Sequence, residues 1–414
     1  MNKAKKLAVN GGEKTIPVPM KGRGNIGSEE REAVLVLMDE CIKSGNMFGY
    51  QGAQEEAFCK EFAQFLGGGF ADGVNSGTNS VYVAIKALQL PTFSEVIVGC
   101  MTDPGGIMPI VLNNCIPIVA DTMLGSFNTG VAMIEPLITE RTRAIVVAHI
   151  GGEPVNMPEI MALAKKHNLK VVEDCAQSHM AKINGQNVGT FGDVGAFSLM
   201  FGKHMCTGGQ GGAVFTKSEE MYWDIRRAAD RGKPFNLPAG STNVIPAINC
   251  NMDEIHAVIG RVQIKKLPDI VARRKAFVKL LVKKGMDKLK VVKIPELAAW
   301  ADHCYWWWKL RIDSSALNCG RDEFCAALVA EGLSINPSYR GALPASMTWF
   351  QNRTGKFPWN APQYKGDPRQ EFHCPNANKS VEDHFILFMY ESWGEAEADA
   401  ILKAIHKVEA VLAK

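Results

Sequence analysis

The sequence predicts an α/β protein. A large domain carries a mostly parallel sheet with helices on both faces, and a smaller α+β domain follows it. Three observations support this. The chain has 414 residues, more than a single hydrophobic core usually holds. Over residues 78–172, short apolar runs alternate with helix-length stretches, the pattern of parallel strands joined by covering helices. After Asp253 the pattern changes to a long lysine- and arginine-rich helical stretch. The expected division is 1–256, with an N-terminal arm, and 257–414.

Each element follows from local signals. Ser28 reads as an N-cap, Glu29 and Glu30 suit a first turn, and Gly45 suits a stop. A second helix covers Gln54–Leu66 and ends at Gly67, Gly68 and Gly69. Val96–Val98, Ile116–Ala120, Ala144–Ala148 and Lys170–Val172 read as buried strands, with helices Thr78–Leu88 and Met157–His167 among them. Asn184-Gly185 has the composition of a hairpin turn, and Gly195–Leu199 and Gly212–Phe215 add two short strands. Glu254–Lys284 is the linking helix. Thr348–Glu371, with Pro358, Pro362 and Pro368, reads as loop, and Glu395–Ala413 as amphipathic helix.

Composition excludes several functions. A net charge of +3, without a basic run, argues against nucleic acid or an anionic membrane as partner. No apolar run is long enough to span a bilayer. The 11 cysteines are odd in number and form no CxxC pair, so we expect reduced thiols that serve packing, with no metal site. Met1–Pro19 lacks the apolar centre of a signal peptide, and the expected location is cytoplasmic.

Three features carry potential chemistry. Asp174 ends the run LKVVED, at the carboxyl end of a predicted central strand, where open α/β sheets bind ligands. It could equally cap a turn. Lys203 lies in the mostly apolar SLMFGKHMC. A solvated lysine is the ordinary reading, but desolvation would lower its pKa and make the amine nucleophilic. Ser76-Gly77-Thr78-Asn79 sits where a strand hands over to a helix. It reads as a simple N-cap or as a cradle of free N–H groups for a phosphate. Together these are the parts of a pyridoxal phosphate (PLP) site: a phosphate cradle, a carboxylate for the pyridine nitrogen and an amine for the aldehyde.

The motifs SGT at Ser76–Thr78, EDCAQ at Glu173–Gln177, VGTFGDVGAFSL at Val188–Leu199, Lys203 and GGQGG at Gly208–Gly212 resemble those of the DegT–StrS sugar aminotransferases. The resemblance runs over nearly the whole chain. It implies a fold-type I aminotransferase with a mostly parallel seven-stranded sheet and a smaller C-terminal α+β domain, and PLP as cofactor. By resemblance Lys203 holds PLP and moves protons, and Asp174 pairs with the pyridine nitrogen. Gln177 lies near the ring hydroxyl, and Gly77, Thr78 and Ser198 bind phosphate. INCNMDEIHAVIG is similar to a family segment whose Asn reaches the phosphate of the neighbouring subunit. That residue is Asn249, which implies a homodimer with shared active sites. His303 and Tyr339 are the implied substrate neighbours, and His149 and His179 are read as structural.

The implied reaction moves an amino group from glutamate or glutamine to a keto group of a nucleotide-linked sugar or of an inosose. The opening LAVNGGEK and the late CPNANKS resemble the inosose branch. Three positions depart from the family pattern: Thr102-Asp103 where a ring-stacking aromatic is usual, Asn251 in place of Arg, and Gln210 in place of Glu. They leave open a dehydratase, an aromatising synthase or a scaffold without turnover, although a retained lysine favours transamination over dehydration. In HCYWWWKLRI, strand periodicity puts Trp306 and Trp308 on one face and Trp307 on the other, either as packing or as a sugar platform.

Overall fold

A computed structural model describes residues 6–340, 343, 347–353 and 355–414. Its first nine strands are β1 (Phe70–Val74), β2 (Glu95–Gly99), β3 (Ile116–Ala120), β4 (Thr142–Ala148), β5 (Lys170–Asp174), β6 (Lys182–Ile183), β7 (Gln186–Asn187), β8 (Val194–Ser198) and β9 (Gly212–Thr216). All but the β6–β7 hairpin form one seven-stranded sheet in the order β1-β9-β8-β5-β4-β2-β3. Only the pairs made by β9 are antiparallel. β2, β3, β8 and β9 are buried at every position. Helices close both faces, so these strands read as unbroken apolar runs rather than as alternation.

The helices around this sheet are α1 (Ser28–Ser44), α2 (Ala53–Phe65), α3 (Gly77–Ala87), α4 (Pro104–Leu112), α5 (Val131–Ile134), α6 (Met157–His167) and α7 (Glu219–Ala229). The expected positions hold within a residue or two, and Asn184 and Gly185 form the β6–β7 turn with positive φ. One start differs. Gly27 caps α1, and Glu30 Oε2 accepts from the Gly27 N–H at 2.7 Å, so Ser28 is already helical. A carboxylate three residues in can close a helix start around glycine as well as around serine.

The 30-residue α8 (Glu254–Lys283) belongs to both apolar clusters. Its Ile264 and Leu267 join the core around the large sheet, and its Phe277 and Leu281 join a second core. That second core lies between the sheet β10-β12-β14-β13 and two helices, α9 (Arg321–Ala330) and α12 (Glu395–Leu412). Its strands are β10 (Val292–Lys293), β12 (Trp308–Ile312), β13 (Ile335–Asn336) and β14 (His384–Leu387), while β11 (Ala301–Asp302) pairs with β6. Leu7 and Ile16 from the N-terminus join the second core.

The proline-rich stretch is not all loop: it opens with α10 (Thr348–Gln351) and leads to α11 (Pro375–Asp383). Phe350, Trp359 and Tyr364 pack with the core of the large sheet.

The three tryptophans do not alternate on one strand. Tyr305 has φ of 54° and β12 begins only at Trp308. Trp307 joins the large core, Trp308 joins the second, and Trp306 faces Lys203.

Within the acidic pair, alternation along β5 sends the two side chains opposite ways. Glu173 is completely buried. It accepts from the N–H groups of Gly189 (2.8 Å), Phe191 (2.7 Å) and Gly192 (2.7 Å), and His149 Nε2 lies 3.2 Å away. Glu173→Ala leaves these donors without a partner, and stability in urea denaturation should fall by roughly 3 kcal/mol or more.

Candidate active site

β4, β5 and β8 are mutually parallel neighbours, so their carboxyl ends lie side by side. The last residues of these strands, Ala148, Asp174 and Ser198, line one cavity of about 230 Å³. Two helix starts converge on it: Ser76, Gly77 and Thr78 at α3, and Asp103, Gly105 and Gly106 at α4. Thr102, His149, Gln177, Lys203 and Gln210 add to the polar lining.

Lys203 sits on the connection from β8 to β9. That connection is closed by Leu199 N–H to Gly211 O at 2.8 Å and Phe201 N–H to Gly209 O at 3.1 Å. The lysine is 7% exposed. Burial lowers its pKa to about 8, against the opposing pull of Asp174 and Asp103. Its backbone carbonyl accepts from Arg23 Nη1, and its Nζ lies 3.7 Å from the centroid of the Trp306 ring.

Asp174 is also buried. Desolvation raises its pKa, although the Ala176 N–H (3.0 Å) and nearby Lys203 favour the charged form. Gln177 Oε1 accepts from the Gly151 N–H at 2.7 Å, and its Nε2 donates to the Tyr339 hydroxyl at 3.2 Å. Tyr339 therefore approaches through Gln177, and burial pushes its hydroxyl up to about 12.

Ser76 Oγ caps α3 by accepting from the Asn79 N–H at 3.1 Å. The N–H groups of Gly77 and Thr78 belong to the first helical turn, where they have no intrahelical acceptor. A Cβ on Gly77 would fall 2.4 Å from Ser198 Cβ, so only glycine lets the helix start lie against Ser198. A Cβ on Gly106 would fall 3.0 Å from Asp174 Oδ2. This donor set fits PLP. The α3 start and Ser198 suit the phosphate, Asp174 suits a protonated ring nitrogen whose charge would restore its ionised form, and Lys203 offers a buried amine.

Six of the expected residues, Lys203, Asp174, Gln177, Ser198, Gly77 and Thr78, share the cavity. Asn249 is not among its lining residues; it bridges to Asp230 and accepts from Asn251 Nδ2 at 2.7 Å. His303 is not among them either. It is buried, stacked on Tyr305 at 4.1 Å and accepts from the Tyr305 N–H at 2.8 Å. His149 was read as structural, and Glu173 and the Val155 N–H (3.0 Å to Nδ1) do hold it, yet it also lines the cavity. Sequence reasoning missed Arg23, for which there was no local signal, and read Trp306, within the triple tryptophan, only as packing or a sugar platform.

The lysine is held at a cost to stability. Its folded pKa of about 8 lies below the ordinary lysine value of 10.5. Below about pH 8 both folded and unfolded states carry the charge, and the full penalty is present. It is relieved as pH rises toward 10.5. Lys203→Met should therefore stabilise the fold by about 3 kcal/mol at neutral pH, and the gain should vanish above the ordinary lysine pKa. Urea melts at several pH values measure this.

Comparisons with known proteins identify the family. Residues 28–406 match the model of the DegT/DnrJ/EryC1/StrS aminotransferase family. The chain is 34% identical over 312 residues to the UDP-N-acetyl-3-dehydro-alpha-D-glucosamine 3-aminotransferase of Acidithiobacillus ferrooxidans, covering 73% of this chain and 79% of that one. A Micromonospora echinospora protein named "Putative L-glutamine:3-amino-2,3-dideoxy-scyllo-inosose aminotransferase" is 31% identical over 230 residues, 55% of this chain and 54% of that protein. The solved aminotransferase from Psychrobacter cryohalolentis superposes with a TM-score of 0.82 at 27% identity, covering 95% of this chain and 99% of that one. The chain thus belongs to the DegT/DnrJ/EryC1/StrS family of PLP-dependent aminotransferases.

Proposed function

We propose that this aminotransferase moves an amino group from glutamate or glutamine to a keto group on a nucleotide-linked sugar or an inosose. The observation that carries the reading is a buried Lys203 amine sharing one cavity with Asp174 beneath the start of α3. The named activities of the relatives supply the acceptor class.

When bound, PLP supplies an electron sink that stabilises negative charge at the donor carbon. The chain's own residues do the rest. Asp174 would hold a proton at the ring nitrogen, and the first N–H groups of α3 with Ser198 would hold the phosphate. Gln177, fixed by Gly151 and Tyr339, would lie near the ring hydroxyl. Lys203, with a pKa near 8, accepts and returns a proton at neutral pH, where both of its forms are accessible. The burial around it keeps water from competing for that proton.

We further propose a homodimer in which Asn249 serves the partner's site. Asn249 lies outside its own chain's cavity lining, and α1 and the turn after it leave Val36, Ile42 and Met47 exposed at 57%, 80% and 83%. Apolar surface of this kind commonly marks an interface.

The purified chain loaded with PLP should show a visible band that bleaches on addition of L-glutamine or L-glutamate. Lys203→Ala should change the band and reduce turnover roughly 10²- to 10⁴-fold. A chain that takes up no PLP on reconstitution would refute the reading. For the shared site, mixing Lys203→Ala with Asn249→Ala chains should recover activity that neither has alone.

A further inference from the structure

The Lys203 ammonium does not face a carboxylate alone. Its Nζ stands 3.7 Å from the centroid of the Trp306 ring, in cation–π contact. The ring is fixed on several sides. Its Nε1–H donates to the carbonyl of Gly202, the residue before the lysine, at 2.9 Å. The Trp306 N–H donates to Gly151 O at 3.0 Å, and its carbonyl accepts from Arg274 Nη1 at 2.9 Å. Arg274 is held by Glu391 at 2.8 Å, and the same carboxylate takes Arg23 Nε at 3.0 Å. Arg23 in turn donates to the carbonyls of Lys203 and His204. Through two arginines, one buried carboxylate thus holds the backbone carbonyls of both Trp306 and Lys203.

We propose that Trp306 is a positioning residue for Lys203: its indole face holds the ammonium form of the amine and sets how readily the lysine gives up its proton. This rests on Lys203 being the reactive amine. The charged and titratable groups facing that amine are Asp174 from β5 and Asp103 from the α4 cap, which favour the ammonium. His179, which burial pushes down to about 3, is neutral there. Arg23 stands behind the lysine backbone rather than at the amine. The indole therefore adds to the two carboxylates in opposing desolvation, without bringing a further charge into the cavity. It also gives the amine a fixed resting place on the wall of the cavity, so the amine need not search for its geometry.

The test uses the full-length chain without PLP. Lys203 is labelled by reductive methylation across a pH series and quantified by peptide mass spectrometry. Trp306 is replaced site-specifically by mono-, di- and trifluorotryptophan, which keep the shape of the ring and weaken its negative face. We expect the labelling midpoint to fall stepwise by about one pH unit across the series, with Trp306→Phe in between and Trp306→Leu falling furthest. Should Trp306→Leu not fold, the fluorinated series decides alone. A midpoint that stays constant along it overturns the proposal. A constant midpoint in a chain that still takes up PLP refutes the indole's role and leaves the aminotransferase reading intact. Failure of PLP uptake strikes at that reading while leaving the midpoint measurement valid.

Discussion

The site depends on keeping an amine in a place that water has almost left. Lys203 is 7% exposed and sits among apolar residues on the β8–β9 connection. An isolated ammonium there would carry a large desolvation penalty. Asp174, Asp103 and the Trp306 face reduce it without removing it, and the remainder brings the amine near neutrality. Much of the surrounding architecture serves to hold this balance. The N-terminal segment sends Arg23 onto the lysine's own carbonyl. α8 sends Arg274 onto the carbonyls of Tyr305 and Trp306, at 2.9 Å each. Both guanidinium groups meet at Glu391, which follows the small sheet in sequence.

This explains why the chain divides its two adjacent acids as it does. Glu173 and Asp174 are neighbours on one strand, yet the strand's period of two sends them to opposite sides. Glu173 gathers backbone N–H groups from the 189–192 turn and anchors His149, so it shapes the wall of the cavity. Asp174 lines the cavity itself, where desolvation raises its pKa. The glycine at position 77 lets the start of α3 lie closer to Ser198, at the end of β8, than a Cβ would allow.

The sequence by itself determined six of the seven strands of the large sheet and the centre of the site. Apolar runs and their spacing mark those six, whereas β1, with the sequence FADGV, carries an aspartate and a glycine and shows no such run. Asp174, Lys203 and the Ser76–Thr78 turn are placed by strand ends and a helix start, which are local features. The resemblance added roles to those residues. Other features were decided only by tertiary structure, because they arise from contacts between distant segments. No local pattern says that Tyr305 takes a left-handed conformation, so the three tryptophans read as one alternating strand when they in fact enter three different environments. Nor does composition reveal that Phe350, Trp359 and Tyr364 pack against the large core, or that Arg23 reaches across 180 positions to the lysine carbonyl. His303, to which the resemblance gives a substrate role, stacks on Tyr305, while Trp306, three residues on, reaches the amine. Periodicity reports which face of an element is buried. Which distant side chain it is buried against depends on how the elements pack.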